Sequence, residues 1–254
     1  MGSLQFDGVD DRLEWTTLAA ALANVSDGAW TMAALVKRSA LLPGPAFGAV
    51  GYLTTDPNPS RAGFSFSFAE IGVVDVGVGS TFTSVLDSLT SPYLVVVSKA
   101  AGAVAPRLGW KLGSGGAWTH ENGDTALADA LAANSVEIGS WQGQDFLPGW
   151  VGVVAFWEGA MSDANKEALD DNWRTSDWWN SAHGTPAFLA ELNVAGSSVV
   201  DLAENASSLT ATGTTLDSGE TLNDWNFNGK GAVASGKIFQ RIARPRPFAP
   251  GLAR

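Results

Sequence analysis

The sequence predicts an all-β fold: a two-sheet antiparallel sandwich with one short helix and an extended C-terminal arm. Three observations carry that prediction. The chain is punctuated by 29 Gly and 11 Pro, apolar residues recur at every second position in several runs, and clusters of Gly, Pro, Asn and Ser separate those runs. At 254 residues one sandwich core suffices. Hydrophobic residues make up 45% and charged residues 16%, against roughly 25% charged in an average globular chain, so the chain builds a core rather than remaining a solvated polymer. The absence of Cys excludes disulfides, thiolate metal sites and a Cys nucleophile.

The elements follow in order. Leu4-Gln5-Phe6-Asp7-Gly8-Val9-Asp10-Asp11-Arg12-Leu13-Glu14-Trp15 alternates on both sides of an Asp-Gly turn signal, predicting two short strands around a tight bend at a sheet edge. Trp30, Met32, Ala34 and Val36 mark one face of a half-buried strand. Phe64, Phe66 and Phe68, alternating with Ser65 and Ser67, give the cleanest period-two signal. Further strands are expected at Ile71 to Val78, Tyr93 to Lys99, Arg107 to Leu112, Ser135 to Ser140 and Trp150 to Glu158, with strand-like pieces at Ser198 to Leu202, Ser208 to Ala211 and Asp224 to Phe227. Ser162 is placed to cap a helix over Asp163 to Trp173, with Asp163 at its positive end. Pro186 to Leu192 reads as a second helical turn with Pro at its first position. No internal repeat of a solenoid or propeller is present.

Charge divides the chain. The formal net is −11; nine basic and all 26 acidic residues lie within 1–224, for a net of −17, and six basic residues within 225–254 give +6. This predicts a body over 1–228 and a basic Gly/Pro-rich arm over 229–254. In the arm, Gly229, Gly231 and Gly236 precede Pro245, Pro247 and Pro250, so flexibility gives way to enforced extension. Phe239 and Phe248 have no periodic segment around them to bury them and read as anchors. Lys237, Arg241, Arg244, Arg246 and Arg254 offer donors to carboxylates on another chain. A protein partner is favoured over nucleic acid, because the acidic body would be repelled by phosphates and no recognition module is present. The Gly231-Ala232-Val233-Ala234-Ser235-Gly236-Lys237-Ile238 string resembles a phosphate loop in spacing only: Ile238 occupies the hydroxyl position and no buried parallel strand precedes it.

Catalytic chemistry is weakly represented. Glu70 and Asp75 are five apart and would point to opposite faces of a strand, which does not suit the paired carboxylates of a glycosidase. There is no GxSxG elbow, and the two His, His120 and His183, read as exposed loop residues rather than as a base or a metal set. No catalytic residue, cofactor or metal is assigned, although Asp10, Asp11 and Asp145 are the loop carboxylates a calcium ion would use. Trp15, Trp30, Trp110, Trp150 and Trp157 fall within strand patterns and are expected in the core, where each removes about 150 to 250 Å² from water. Trp141, Trp178 and Trp179 fall in loop-rich stretches, and Trp178 and Trp179 are the pair best placed to bind a glycan or face a partner.

Three stretches resemble the concanavalin A-like, laminin-G-like jelly-roll family: Leu4 to Asp11; Val136-Glu137-Ile138-Gly139 with Gly149 to Trp157 and Met161 to Asn165; and Val200 to Asn205 with Trp225-Asn226-Phe227. The ending Arg244-Pro245-Arg246-Pro247-Phe248-Ala249-Pro250-Gly251-Leu252-Ala253-Arg254 is similar to the endings of jelly-roll virion proteins of tailed phages, head decoration or minor tail proteins. The resemblance implies a non-enzymatic virion structural protein, a capsid decoration protein held on the major capsid protein or another shell protein by its arm. The alternative it implies is a tail or host-adsorption module that binds a surface glycan. Several copies, and so a homo-oligomer, would suit a symmetric shell. No apolar run approaches the roughly 18 residues of a membrane span, and Asp7, Asp10 and Asp11 stand where a signal peptide would carry its apolar core, so assembly in a host cytoplasm into the virion is expected, with no membrane partner.

Overall fold

A computed structural model describes residues 3–18, 28–42, 48–54, 61–66, 71–75, 78–127, 135–140, 144–172, 184, 186–192, 206–213 and 215–217. In chain order the strands are β1 (Ser3–Asp7), β2 (Arg12–Leu18), β3 (Trp30–Arg38), β4 (Gly48–Thr54), β5 (Arg61–Phe66), β6 (Ile71–Asp75), β7 (Val78–Thr81), β8 (Tyr93–Lys99), β9 (Arg107–Leu112), β10 (Thr119–Asn122), β11 (Ser135–Ile138), β12 (Pro148–Glu158), β13 (Phe188–Glu191), β14 (Ala206–Thr212) and β15 (Thr215–Asp217), with helix α1 (Asp163–Asn172) between β12 and β13. They form two antiparallel sheets. One runs β10-β9-β8-β3-β12-β1-β15 with β13 also paired to β12; the other runs β14-β2-β11-β4-β5-β6-β7. This is a two-sheet jelly-roll sandwich, as the sequence predicts.

Between the sheets lies one continuous apolar core. Leu4, Phe6, Met32, Ala34, Val36, Val95, Val97 and Phe156 from the eight-stranded sheet meet Leu13, Trp15, Val50, Phe64, Phe66, Val136 and Ile138 from the other. Trp15 stands edge-on to Phe188, their ring centroids 5.0 Å apart at 76°, the favoured geometry for two quadrupoles. A Cβ at Gly51 would press on the Met32 methyl, so that strand position admits a partner from the facing sheet only because it is bare. Ser65 is buried as well as Phe64 and Phe66; Phe68 lies outside the described residues.

A second apolar layer covers the outer face of the larger sheet, where Ala33, Leu35, Leu94, Val96, Val153 and Ala155 pack with Met161 and Leu169. For this reason β3 is buried at all nine positions rather than half-buried. The sequence reading needs three further corrections. First, β1 and β2 do not form an edge hairpin: β1 lies between β12 and β15, and β2 lies between β11 and β14 in the opposite sheet. The Asp-Gly turn therefore crosses the sandwich. Second, Ile71 to Val78 is not one strand but two, β6 and β7, paired with each other. Third, Pro186 to Leu192 is not helical. Phe188–Glu191 pairs with β12 beyond the register shift between Val151 and Val153, where β12 exchanges β1 for β13 as its neighbour. A β-bulge permits such an exchange by re-aiming the strand.

Trp15, Trp30 and Trp157 are core residues. Trp110 is half-buried against the inter-sheet core and Trp150 against the outer layer, with the Lys37 ammonium 5.0 Å from its ring centroid. The expected strands at Ser198 to Leu202 and Asp224 to Phe227, and the body–arm boundary at 228/229, lie outside the described residues.

Candidate functional site

The turn joining the sheets gathers three carboxylates. Asp7 Oδ1 accepts the Val9 amide at 2.7 Å and the Asp10 amide at 3.3 Å, an Asx arrangement that closes the turn on itself. Asp11 Oδ2 accepts the Asp7 amide at 2.6 Å. The carboxylates of Asp7, Asp10 and Asp11 offer oxygens within 4.8 Å of one another. Asp11 is 5% exposed, and burial is the largest cause of a carboxyl pKa above the ordinary value. The Asp7 amide opposes that rise, and the charges of Asp7 and Asp10 add to it. In the turn between β14 and β15, Gly213 takes φ +73° and a Cβ there would strike Asp11 Oδ1, so the chain approaches this carboxylate as closely as glycine allows.

Hard oxygen ligands suit calcium, and two of the three loop carboxylates named from the sequence, Asp10 and Asp11, come together with Asp7. Asp145 does not join them; it holds a left-handed φ of 51° in the approach to β12. The three acids supply part of the six to eight oxygens calcium takes, and Asp7 and Asp11 already serve backbone amides. The set fits the ion in chemistry but falls short in number.

A second cluster docks α1 on the sheet edge. Ser162 Oγ accepts the Asn165 amide at 3.2 Å, the expected N-cap, which fixes Asp163 in the first turn. Arg107 in β9 donates to Asp163, through Nε to both oxygens at 3.2 Å and through Nη2 at 2.6 Å. That fork holds the Asp163 carboxyl below its ordinary range, against the opposing effect of burial, and raises Arg107. Lys166, fully buried, donates to the Arg107 carbonyl at 2.9 Å. Burial lowers its pKa to about 8, with Asp163, 3.5 Å away, opposing the fall. A lysine amine of this kind is a potential nucleophile, but no face of Lys166 is open to a substrate. His120 lies between Glu167, at 2.9 Å from Nε2, and Asp163, at 3.3 Å from Nδ1, and its ring is parallel to that of Trp118 within 7°. His120 therefore belongs to an edge strand with a side chain only 15% exposed, not to an open loop.

Two more carboxylates tie the β7–β8 crossing to the same edge. Glu121 accepts the amides and hydroxyls of Thr83 and Ser84. Burial raises its pKa, and these hydrogen bonds outweigh burial and leave it lowered. Asp124 accepts the Thr81 amide at 2.8 Å, the Thr81 hydroxyl at 2.9 Å and the Ser80 hydroxyl at 3.1 Å; the Thr81 amide is the first cause of a pKa lowered to about 2.

Lys237, Phe239, Arg241, Arg244, Arg246, Phe248 and Arg254, and Trp141, Trp178 and Trp179, lie outside the described residues. So do Glu70, His183 and the 231–238 string. Sequence reading missed His120, Glu121 and Asp124 as partners because their counterparts are distant along the chain. Their one local signal is that Thr119-His120-Glu121-Asn122 carries polar residues at every position of an edge strand.

No protein-family model matches the chain, and no curated protein matches it. Among solved structures, the chain is similar to a heptameric SAP-like pentraxin from Limulus polyphemus, with a TM-score of 0.54 and 13% identity over 85% of this chain and 94% of that one. It is also similar to a candidate carbohydrate-binding protein from Bacteroides ovatus ATCC 8483, with a TM-score of 0.58 and 14% identity over 85% of this chain and 59% of that one. At these identities the likeness is one of fold: the chain is a two-sheet jelly-roll sandwich.

Proposed function

We propose that this protein is a non-enzymatic carbohydrate-binding module that engages a surface glycan through Trp178 and Trp179. The observation that carries the reading is the shared sandwich with the Bacteroides ovatus protein, described as a candidate for carbohydrate binding, together with paired indoles in a loop-rich stretch, whose faces suit the apolar faces of sugars. The non-enzymatic part is supported by the use made of the carboxylates. Hydrolysis on such a fold needs two free carboxyl groups roughly 5 to 10 Å apart, whereas Asp163, Glu121 and Asp124 are each held by several donors. A glycan array read with the full chain and with Trp178→Ala and Trp179→Ala tests it. Binding that both substitutions abolish is the expected result; a silent array with host adsorption unchanged in the variants overturns it.

A second reading concerns where the module sits, and the division of charge between an acidic body and a +6 terminus favours it. In this reading the protein is a capsid decoration protein of a virion. Lys237, Phe239, Arg241, Arg244, Arg246, Phe248 and Arg254 dock on the major capsid protein or another shell protein, and a tail position is the variant that would place the glycan site at host adsorption. Deleting residues 229–254 is expected to release the protein from purified shells. Retention at full occupancy after that deletion disproves the tether.

A further inference from the structure

We propose that His120 is a proton-operated latch that fastens helix α1 to the edge of the eight-stranded sheet, closed when the imidazole is protonated and slackened when it is neutral. The argument rests on which atoms face the ring. Nε2 lies 2.9 Å from Glu167 Oε1, and Nδ1 lies 3.3 Å from Asp163 Oδ1. A carboxylate only accepts, and a neutral imidazole carries one N–H and one bare lone pair. The neutral ring can therefore satisfy one of these acids and must turn a lone pair toward the other. The imidazolium has an N–H for each. In the structure Nδ1 is a buried nitrogen without a hydrogen-bond partner, which marks it as the position the second proton would occupy.

The charges around the ring come from each element packed on it. Helix α1 presents Asp163, Glu167 and Lys166, and β9 presents Arg107, which is engaged by Asp163. Lys166 points its ammonium to the Arg107 carbonyl at 2.9 Å. The ring cannot retreat from this setting: Trp118 is parallel to it, and the space over Gly109 on the paired strand is closed to a Cβ by His120 itself, 3.0 Å from Nδ1. The two carboxylates are both on the helix, one turn apart, so the proton's effect is felt as helix docking. Imidazoles as a class titrate between about pH 5 and 8. With the ring neutral, Nδ1 turns a lone pair toward Asp163 while Nε2 keeps its contact with Glu167; with the ring protonated, each nitrogen faces its carboxylate with an N–H.

Amide hydrogen exchange of the full chain, corrected for the intrinsic rate and compared at pH 5.5 and pH 8, tests the latch. Protection of the α1 amides is expected to fall roughly tenfold on going to pH 8, the equivalent of one charge-assisted hydrogen bond, while the strands of the inter-sheet core keep theirs. His120→Asn should remove that pH dependence, Glu167→Gln, which preserves shape, should reduce it, and His183→Asn should leave it intact. Protection of α1 that does not change with pH, or changes equally in His120→Asn, overturns the proposal; so does loss of the effect in His183→Asn.

Discussion

The β1–β2 turn and the β7–β8 crossing both carry the chain from one sheet to the other, and both use carboxylates, in opposite ways. At the first, Asp7, Asp10 and Asp11 crowd one another with oxygens inside 4.8 Å, and the buried Asp11 is pushed toward its neutral form. At the second, Glu121 and Asp124 sit among hydroxyls and amides from Ser80 to Ser84 and are pushed toward their charged forms. A carboxylate stabilises a crossing when donors converge on it and strains one when other acids do. The two regions therefore respond to packing and to acid with different signs, and the predictions below separate them.

The largest effect is expected from crowding the turn that is already tight. Gly213→Val places a branched side chain at φ +73° with its Cβ against Asp11 Oδ1. Left-handed strain and the clash together should cost roughly 2–4 kcal/mol, read as a fall in thermal midpoint. A loss below about 0.5 kcal/mol, the range of an ordinary surface substitution, would show that the turns at Gly213 and Asp11 are not packed as described.

At the other crossing the sensitive variable is pH. Asp124 has a folded-state pKa near 2, and Glu121 and Asp163 are lowered as well. A carboxyl with a depressed folded pKa contributes stability that is present above its unfolded pKa and is lost as pH falls through the folded one. Stability should therefore decline as the pH drops from about 4.5 toward 2. The slope should be shallower in Glu121→Gln with Asp124→Asn than in the parent, and that double variant should be less stable than the parent at neutral pH, by an amount that solvent screening keeps small. Equal acid slopes in parent and variant would remove these two residues from the account.

The same contrast explains what could be read from sequence. Tyr93–Lys99 and Arg107–Leu112 match their expected bounds because strand alternation and flanking turn residues are local signals. The α1 cap at Ser162 was equally local. Which sheet receives a strand is not: alternation in β1 and β2 looks the same whether they pair with each other or cross the sandwich. β4 is absent from the expected strands, because Gly48 and Gly51 interrupt its apolar pattern and the Met32 side chain that fills Gly51's place comes from the facing sheet. The clusters suffer most. His120 meets Glu167 across 47 residues and Arg107 meets Asp163 across 56, and both pairings depend on β9–β10 register and on where α1 lands, neither of which is encoded within a short window. Asp10 and Asp11 could be named in advance because the turn that joins them is itself contiguous.

The smallest effect, and the sharpest test of the difference between the crossings, is Asp11→Asn. An Asn side chain keeps an oxygen for the Asp7 amide, which Asp11 Oδ2 accepts at 2.6 Å, while removing one charge from the acidic trio. Because burial and the neighbouring acids raise the folded pKa of Asp11, its charge costs stability wherever it is ionised, and that cost is relieved as pH falls through the raised value. The substitution should therefore leave stability at pH 7 unchanged or raise it by up to about 1 kcal/mol, and it should flatten the part of the pH profile just above the ordinary carboxylate range. A loss of more than about 1 kcal/mol would mean that the Asp11 charge is favourable where it stands, and that the β1–β2 turn behaves like the β7–β8 crossing.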